Sequence, residues 1–197
     1  MMENKGRPYD TQLDEAIIES AKALLIEKGF EGLTVSEIVQ AAGTTRSAFY
    51  RRYKDFVALM VDILLSEYNT DLDKTFDTGS LASDLLALQE DQLELFTDPM
   101  VNRALSGFFG QLRSDDLSRQ EFLELFLQPR RDATRAILDR AVVRGEIHDD
   151  YDIDLICDTL TGPFIFRVII PEIGPLDDRL VDGTVRMVLN DLNHTSS

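Results

Sequence analysis

Apolar residues recur at intervals of three or four through most of the chain, which is the spacing of one face of an α-helix. Leu13, Ile17 and Ala21 form the first such stripe. Gly29 follows it, and glycine is favoured just beyond the C-terminus of a helix. The pattern predicts a first helix over about residues 11–28.

The same spacing predicts helices along the rest of the chain, most of them introduced by a capping residue or closed by a glycine. Their approximate bounds are 34–42, 45–53, 56–77, 80–97, 99–113, 118–144, 152–170 and 176–192. Pro129 lies inside one of these segments, where we expect a bend because proline cannot complete the helical hydrogen-bond pattern. The predicted fold class is all-α, with about nine helices.

One segment, FIFRVII at residues 164–170, also fits a strand, because β-branched and aromatic residues are enriched in strands. A strand needs a partner, and the sequence offers none. Helical spacing leads into the segment from Asp152. We therefore expect a helix that is distorted at Gly162 and Pro163 and ended by Pro171.

A short capped helix, a tight turn and a second short helix follow one another over residues 34–53, which is the signature of a helix-turn-helix. In this motif the first helix braces the second, whose outer face can enter the major groove of DNA. Ala48, Phe49 and Tyr53 share the predicted inner face of the second helix. The predicted outer face carries Arg46, Ser47, Tyr50, Arg51 and Lys54.

The charge distribution supports this interpretation. The chain has 20 Lys and Arg against 36 Asp and Glu, a formal net charge of -16. Residues 1–60 carry eight basic and nine acidic residues, whereas residues 61–197 carry 12 and 27. Residues 44–54 nevertheless hold four basic residues and no acidic one. A basic helical face is often merely solvated, but a cluster opposed to the charge of the whole chain indicates a surface for a polyanion such as DNA.

Other chemistry is poorly supported by the sequence. The chain has two histidines and a single cysteine, Cys157, without the spacing of a catalytic or metal-binding set and without a glycine-rich phosphate loop. We therefore expect neither an enzyme nor a metal or cofactor site. No apolar run reaches the length of a membrane span, and the N-terminus lacks the features of a signal peptide, so we expect a cytoplasmic protein.

The chain resembles the N-terminal domain of the TetR family of transcriptional regulators over about residues 11–59. The residues that carry the resemblance are Ile17, Ser20, Ala21, Gly29, Phe30, Thr34, Val35, Ile38, Ala42, Gly43, Phe49, Tyr50 and Tyr53. The resemblance implies a helix-turn-helix DNA-binding domain at 11–71 and a C-terminal helical bundle at 80–193 that binds a small-molecule effector and dimerises. The implied function is that of a ligand-responsive repressor that binds a palindromic operator as a homodimer. The alternative is a helical dimer that has lost DNA binding and serves as a scaffold or sensor.

The family's DNA contacts and the polar outer face together give the predicted DNA-binding residues, which are Thr34, Thr45, Arg46, Ser47, Tyr50, Arg51, Arg52 and Lys54. Two positions depart from the family pattern. The family usually has histidine where Arg52 stands, and a phosphate-contacting lysine where Phe56 stands. Arg52 keeps a hydrogen-bond donor, whereas Phe56 does not, and we assign the missing phosphate contact to Lys54.

Residues 137–147 and 152–170 resemble one subgroup of the family's C-terminal domains. By this analogy the effector pocket opens among the middle helices, with candidate residues Gln92, Phe96, Arg103, Phe108, Gln111, Phe122, Phe126 and Phe166. The last two helices would form the dimer interface, with candidate residues Ile156, Leu160, Phe164, Val181, Val185 and Val188. For members of both sets, a place in the protein core is the alternative.

Overall fold

The computed structural model describes residues 11–68, 74–112 and 116–194, with the side chains at 66–68, 108–112, 117, 118, 121 and 194 excepted. Ten α-helices follow one another in this part of the chain, which contains no strand. They are α1 (Thr11–Lys28), α2 (Val35–Ala41), α3 (Arg46–Tyr50), α4 (Phe56–Tyr68), α5 (Leu81–Thr97), α6 (Pro99–Leu112), α7 (Asp116–Phe122), α8 (Gln128–Arg144), α9 (Ile153–Ile169) and α10 (Asp178–His194). The predicted all-α fold class is confirmed.

Several helix ends follow directly from capping residues. The side chains of Ser80 and Asp152 accept hydrogen bonds from the free backbone N–H groups at the starts of α5 and α9. Asp55 does the same for α4, where Ala58 N–H donates to its carboxylate at 2.9 Å. Gly145 ends α8 with φ 75°, a left-handed conformation that glycine adopts without strain.

The predicted helix at 118–144 is divided in the structure. A π-helical segment, Leu123–Leu127, joins α7 to α8, and Gln128 N–H donates to Leu123 C=O, five residues earlier. We expected a bend at Pro129, whereas the irregular turn lies just before it and Pro129 occupies the first turn of α8. Proline has no N–H to donate to the carbonyl four residues earlier, so the α-helical pattern is interrupted at this point.

The segment FIFRVII is helical. It forms the second half of α9, which continues through Pro163 and ends at Ile169 before a 3₁₀ turn at Pro171–Ile173. Its buried residues include Phe164 and Val168, four residues apart, as a helix in a bundle requires. The strand alternative for this segment is therefore wrong.

Two buried clusters form the core. The first contains Ile17, Phe49 and Leu105, and so joins the helix-turn-helix region to α6 of the C-terminal bundle. The second, which contains Leu85, Ile137 and Val188, fills the far end of that bundle between α5, α8, α9 and α10. The predicted domains, 11–71 and 80–193, both contribute residues to the first cluster, and the predicted boundary at residue 71 lies outside the described residues.

We found no helix long and apolar enough to cross a membrane within the described ranges.

Candidate functional site

Two threonines set the geometry of the helix-turn-helix. The hydroxyl oxygen of Thr34 accepts a hydrogen bond from Glu37 N–H at 3.3 Å and begins α2. The hydroxyl oxygen of Thr45 accepts one from Ala48 N–H at 3.2 Å and begins α3. Between the two helices, Gly43 takes φ 63°, which lets the chain turn within a few residues. The second helix is therefore held at a fixed angle to the first.

Helix α3 has one buried and one exposed face. Ala48, Phe49 and Tyr53 are buried, with 7%, 0% and 5% of their surface exposed. The outward residues are exposed, and they are Thr45, Arg46, Ser47, Tyr50, Arg51 and Lys54. Tyr50 leaves 55% of its surface in solvent although its ring also meets Phe49 edge-on. The structure thus presents a polar, cationic surface, which we call the α3 face.

Arg46 and Arg52 are held differently. The guanidinium of Arg46, at the start of the α3 face, donates a hydrogen bond to the hydroxyl of Ser36 on α2 and remains exposed. Arg52 is mostly buried and forms an ion pair with Asp14 of α1, and it also donates to Ala48 C=O at 3.3 Å. Arg52 therefore braces α3 against α1, and the structure separates it from the other predicted contact residues.

The junction of α3 and α4 shows what replaces the family's lysine. Phe56 is the first residue of α4, and its ring lies against the ring of Phe30. Lys54, two residues earlier, is half exposed, with its ammonium 3.5 Å from the carboxylate of Asp55. Phe56 is therefore a packing residue, and the cation nearest to this position in the sequence is Lys54.

An ion pair joins α1 to the start of α2. The ammonium of Lys28 lies 2.6 Å from the carboxylate of Glu37, which also accepts a hydrogen bond from the Thr34 hydroxyl at 3.0 Å. Lys28 and then Thr34 lower the pKa of Glu37, and Glu37 in turn raises the pKa of Lys28. Because Thr34 is engaged in this cap, its hydroxyl is oriented by the protein.

The predicted effector residues fall into three groups. Gln92, Phe96, Phe122 and Phe126 are buried, Arg103 and Phe166 are exposed, and the side chains of Phe108 and Gln111 lie outside the described residues. Among the buried ones, the rings of Phe122 and Phe126 stack with centroids 5.0 Å apart. Gln92 accepts a hydrogen bond from the Thr161 hydroxyl of α9 at 3.3 Å.

Hollows on the C-terminal bundle are lined by other residues. A cleft of about 140 Å³ between α8 and α9 is bordered by Leu127, Arg130, Cys157, Thr161, Gly162 and Ile165, among others. A wider hollow of about 370 Å³ lies beside Phe76 and Arg140. None of the eight predicted effector residues lines either one. Sequence reasoning selected aromatic residues and did not single out Arg130, which stands in the polar segment QPRRD at residues 128–132.

The predicted dimer residues occupy the inner faces of α9 and α10. Each has at most 6% of its surface exposed, so all six are core residues of the protomer, namely Ile156, Leu160, Phe164, Val181, Val185 and Val188. The large apolar residues that these helices and the turn between them expose are Leu155, Phe166, Ile169, Ile170, Ile173 and Met187, at 40% to 59%. Periodicity had identified apolar residues without showing which of them face outward.

Family profiles of known proteins match both the N-terminal and the C-terminal part of the chain. The family profile described as "Bacterial regulatory proteins, tetR family" matches residues 17–61, which contain the helix-turn-helix. The profile described as "Tetracyclin repressor-like, C-terminal domain" matches residues 75–188. Together they cover both predicted parts of the chain.

Individual relatives agree with these matches. The chain is 29% identical to the uncharacterized HTH-type transcriptional regulator YdeS of Bacillus subtilis over 96% of this chain and 93% of that protein. It is 26% identical to the DNA-binding transcriptional repressor TetR of Mycobacteroides abscessus over 88% of this chain and 92% of that one. The fold matches the crystal structure of FadR from Bacillus subtilis in complex with stearoyl-CoA, with a TM-score of 0.70, 17% identity, and coverage of 89% of this chain and 97% of that chain. The protein belongs to the TetR family of DNA-binding transcriptional regulators, and is not an enzyme.

Proposed function

We propose that this protein is a ligand-responsive transcriptional repressor that binds a palindromic operator as a homodimer. The observation that carries the proposal is the α3 face, which gathers exposed cations on a chain whose net charge is -16. Such a chain repels DNA over most of its surface, so among the described residues attraction is concentrated at the α3 face. The acidic body therefore orients the molecule on the duplex.

The α3 face offers two kinds of contact. Arg46 and Arg51 carry planar guanidinium groups that match the O6 and N7 acceptors of guanine in the major groove. Thr45, Ser47 and Tyr50 carry hydroxyls suited to phosphate oxygens, which position the protein without reading sequence. We assign the arginines to base recognition and the hydroxyls, together with Lys54, to the backbone.

A dimer would place one α3 in each of two successive major grooves, whose centres are about 34 to 36 Å apart. The exposed apolar side chains of α9, α10 and the turn between them support this assembly, because large apolar residues left exposed together on neighbouring elements often mark an interface. A two-fold interface uses the same surface on both protomers. The operator would then be a palindrome.

Contacts between the two parts of the chain support ligand response. Helix α6 packs against both α1 and α4. Phe30, in the loop after α1, lies so close to Gly107 of α6 that a Cβ at Gly107 would come within 2.2 Å of the ring. A ligand that shifts α6 would therefore move the helix-turn-helix, which makes ligand and DNA affinities reciprocally dependent. The FadR fold was solved with stearoyl-CoA, and an effector in the C-terminal bundle here is proposed by that analogy.

Selection of bound fragments from the source genome tests the proposal. We expect fragments with an inverted repeat, bound by two protomers, with an affinity that falls linearly with the logarithm of salt concentration. Light scattering of the free protein should give the mass of a dimer, and a reporter placed behind the selected site should be expressed less when the protein is present. Failure to enrich any sequence, together with no salt-sensitive binding to DNA, would favour the alternative of a scaffold or sensor that does not bind DNA.

A further inference from the structure

The cleft between α8 and α9 is bordered by a cation that has no carboxylate within ion-pair distance among the described residues. Arg130, in the first turn of α8, is one of the residues that line the cleft. Its guanidinium carbon lies 3.8 Å from the centroid of the Phe126 ring, and one nitrogen donates to Phe126 C=O. No carboxylate among the described residues lies within ion-pair distance of it, and its other N–H groups have no protein acceptor there.

The neighbouring arginine shows the contrast. Arg131 also borders the cleft, but Asp154 and Asp158 of α9 accept hydrogen bonds from it, and these contacts raise its pKa against the effect of burial. For Arg130, burial lowers the pKa to about 10, and the nearby Asp91 only partly offsets this. Asp91 is itself paired with Lys74. Within the described part of the chain, Arg131 is therefore paired directly with carboxylates, whereas Arg130 has only the more distant Asp91.

A partly buried charge without a counter-ion is costly to maintain, so its presence beside a cleft requires a reason. We propose that this cleft binds a small organic anion, with Arg130 pairing with the anionic group and Leu127, Gly162 and Ile165 contacting the apolar part. This inference rests on the effector-binding part of the proposed function and names the chemical class of the effector. The net charge of the whole chain would attract cations, whereas this cleft would bind an anion.

The dimensions of the cleft limit the ligand. A dry cavity of about 150 Å³ accommodates a molecule the size of benzene, and the cleft measures about 140 Å³. It therefore fits the anionic end of a ligand together with one ring or a short alkyl chain, and a longer tail would extend into solvent. Carboxylates and phosphates share the acceptor geometry that a guanidinium prefers, so both classes enter the test.

Isothermal titration calorimetry on the full-length protein tests the proposal with paired probes. The anions are benzoate, hexanoate and phenyl phosphate, and their respective neutral counterparts are benzamide, hexanamide and phenol. At least one anion should bind about 10- to 100-fold more tightly than the corresponding neutral compound, as expected for a charge-assisted hydrogen bond. Whether the carboxylates or phenyl phosphate bind best identifies the natural class.

Two variants separate recognition from folding. Arg130→Met keeps an unbranched side chain but lacks the guanidinium, so it should remove the preference for the anion. Arg135→Met changes an exposed arginine of the same helix and should keep that preference. Circular dichroism melting establishes that both variants are folded. Equal binding of anions and neutral compounds by the unchanged protein, or an anion preference that survives Arg130→Met in the folded variant, would overturn the proposal. Operator binding is measured in parallel on the same samples, so loss of the anion site is distinguished from failure of the DNA-binding function.

Discussion

The ring of Phe30 lies 5.1 Å from the ring of Phe56, with an interplanar angle of 58°. Phe30 is in the loop after α1 and Phe56 begins α4, so this contact joins two helices that flank the helix-turn-helix. Gly107 of α6 meets Phe30 from the C-terminal bundle. Where the family usually has a phosphate-contacting lysine, this chain therefore has an aromatic residue that links α4, through Phe30, to α6.

Phe56→Lys should exchange packing for a DNA contact. We expect the free energy of unfolding to fall by about 1 to 3 kcal/mol, because a half-buried ring and its aromatic partner contact are lost. The slope of log affinity against log salt should become steeper by about one unit, because one more phosphate is neutralised. Urea unfolding and salt-dependent fluorescence anisotropy measure the two effects. Phe56→Leu is the control, and it should leave the slope unchanged.

Gly107→Ala should destabilise the contact between α6 and the helix-turn-helix. The added Cβ would lie 2.2 Å from Phe30, and overpacking of this kind costs about 1 to 3 kcal/mol. In the background of Phe30→Ala the same change should cost much less, because the clashing ring is absent. Urea unfolding of the two single variants and the double variant measures this interaction. Additive effects would show that Gly107 and Phe30 are not in contact.

Two substitutions on the α3 face should have different effects on DNA binding. Arg51→Ala should relax specificity at one or two operator positions and cost about 1 to 3 kcal/mol there. Lys54→Ala should weaken binding to all sequences alike and reduce the salt slope by about one. Arg179→Ala removes an exposed cation from α10 and serves as the charge-matched control. An unaltered salt slope for Lys54→Ala would refute the assignment of Lys54 to a phosphate.

Asp84 should make stability depend on pH in the acid range. Its side chain is fully buried, and burial by itself raises the pKa of the carboxyl. The carboxylate accepts hydrogen bonds from Thr78 at 2.6 and 2.7 Å and from Arg144 at 3.0 Å. These hydrogen bonds outweigh the effect of burial, so the pKa of Asp84 is lowered. The stabilisation is present above the unfolded-state pKa of about 3.9 and is lost as pH falls through the folded-state pKa. Asp84→Asn should therefore be less stable than the unchanged protein at pH 6, with a smaller difference at pH 3. Urea unfolding at both values tests this, with the exposed Asp182→Asn as the control.

Phe166→Asp should dissociate the proposed dimer without unfolding the protomer. Phe166 is 52% exposed on the outer face of α9, so the substitution puts a charge on the apolar surface and leaves the core intact. Val143→Asp on α8, at a site that is 88% exposed, is the matched control and should remain dimeric. Analytical ultracentrifugation measures the mass of each variant. A dimer that tolerates Phe166→Asp would place the interface elsewhere.

Local signals predicted the helices well, because caps and terminal glycines act within a few residues of the chain. The bounds of α1 were predicted as the structure has them, and those of α5 differ by one residue at the start. The π-helical segment was not predicted, since it depends on how α7 and α8 pack against the rest of the bundle as well as on Pro129. Sequence periodicity contains no information about such packing.

Which side of α9 faces outward, and which carboxylates lie near Arg130, could not be predicted from the sequence for a related reason. Helix α9 is apolar on most of its circumference, so periodicity could not distinguish the side that contacts the protomer core from the side that contains Phe166. On α3 the two sides differ in polarity, and the predicted inner residues are the buried ones. Whether Arg130 has a counter-ion depends on residues far apart in sequence, such as Asp91 and Asp154, and only the folded chain shows which arginine each carboxylate contacts.

The π turn at Leu123–Leu127 gives the chain one amino acid more than an unbroken α-helix of the same rise would contain. Deleting a single residue there would let the helix close into regular α geometry and would leave α7 in nearly the same rotational setting relative to α8, because the π turn absorbs the extra residue within one turn. A deletion within the regular part of α7 would instead rotate the residues before it by about 100° relative to α8. Because α7 packs on α4, the side that α7 offers to α4 would then change as well. The π turn therefore lets the chain carry one extra residue without altering that packing.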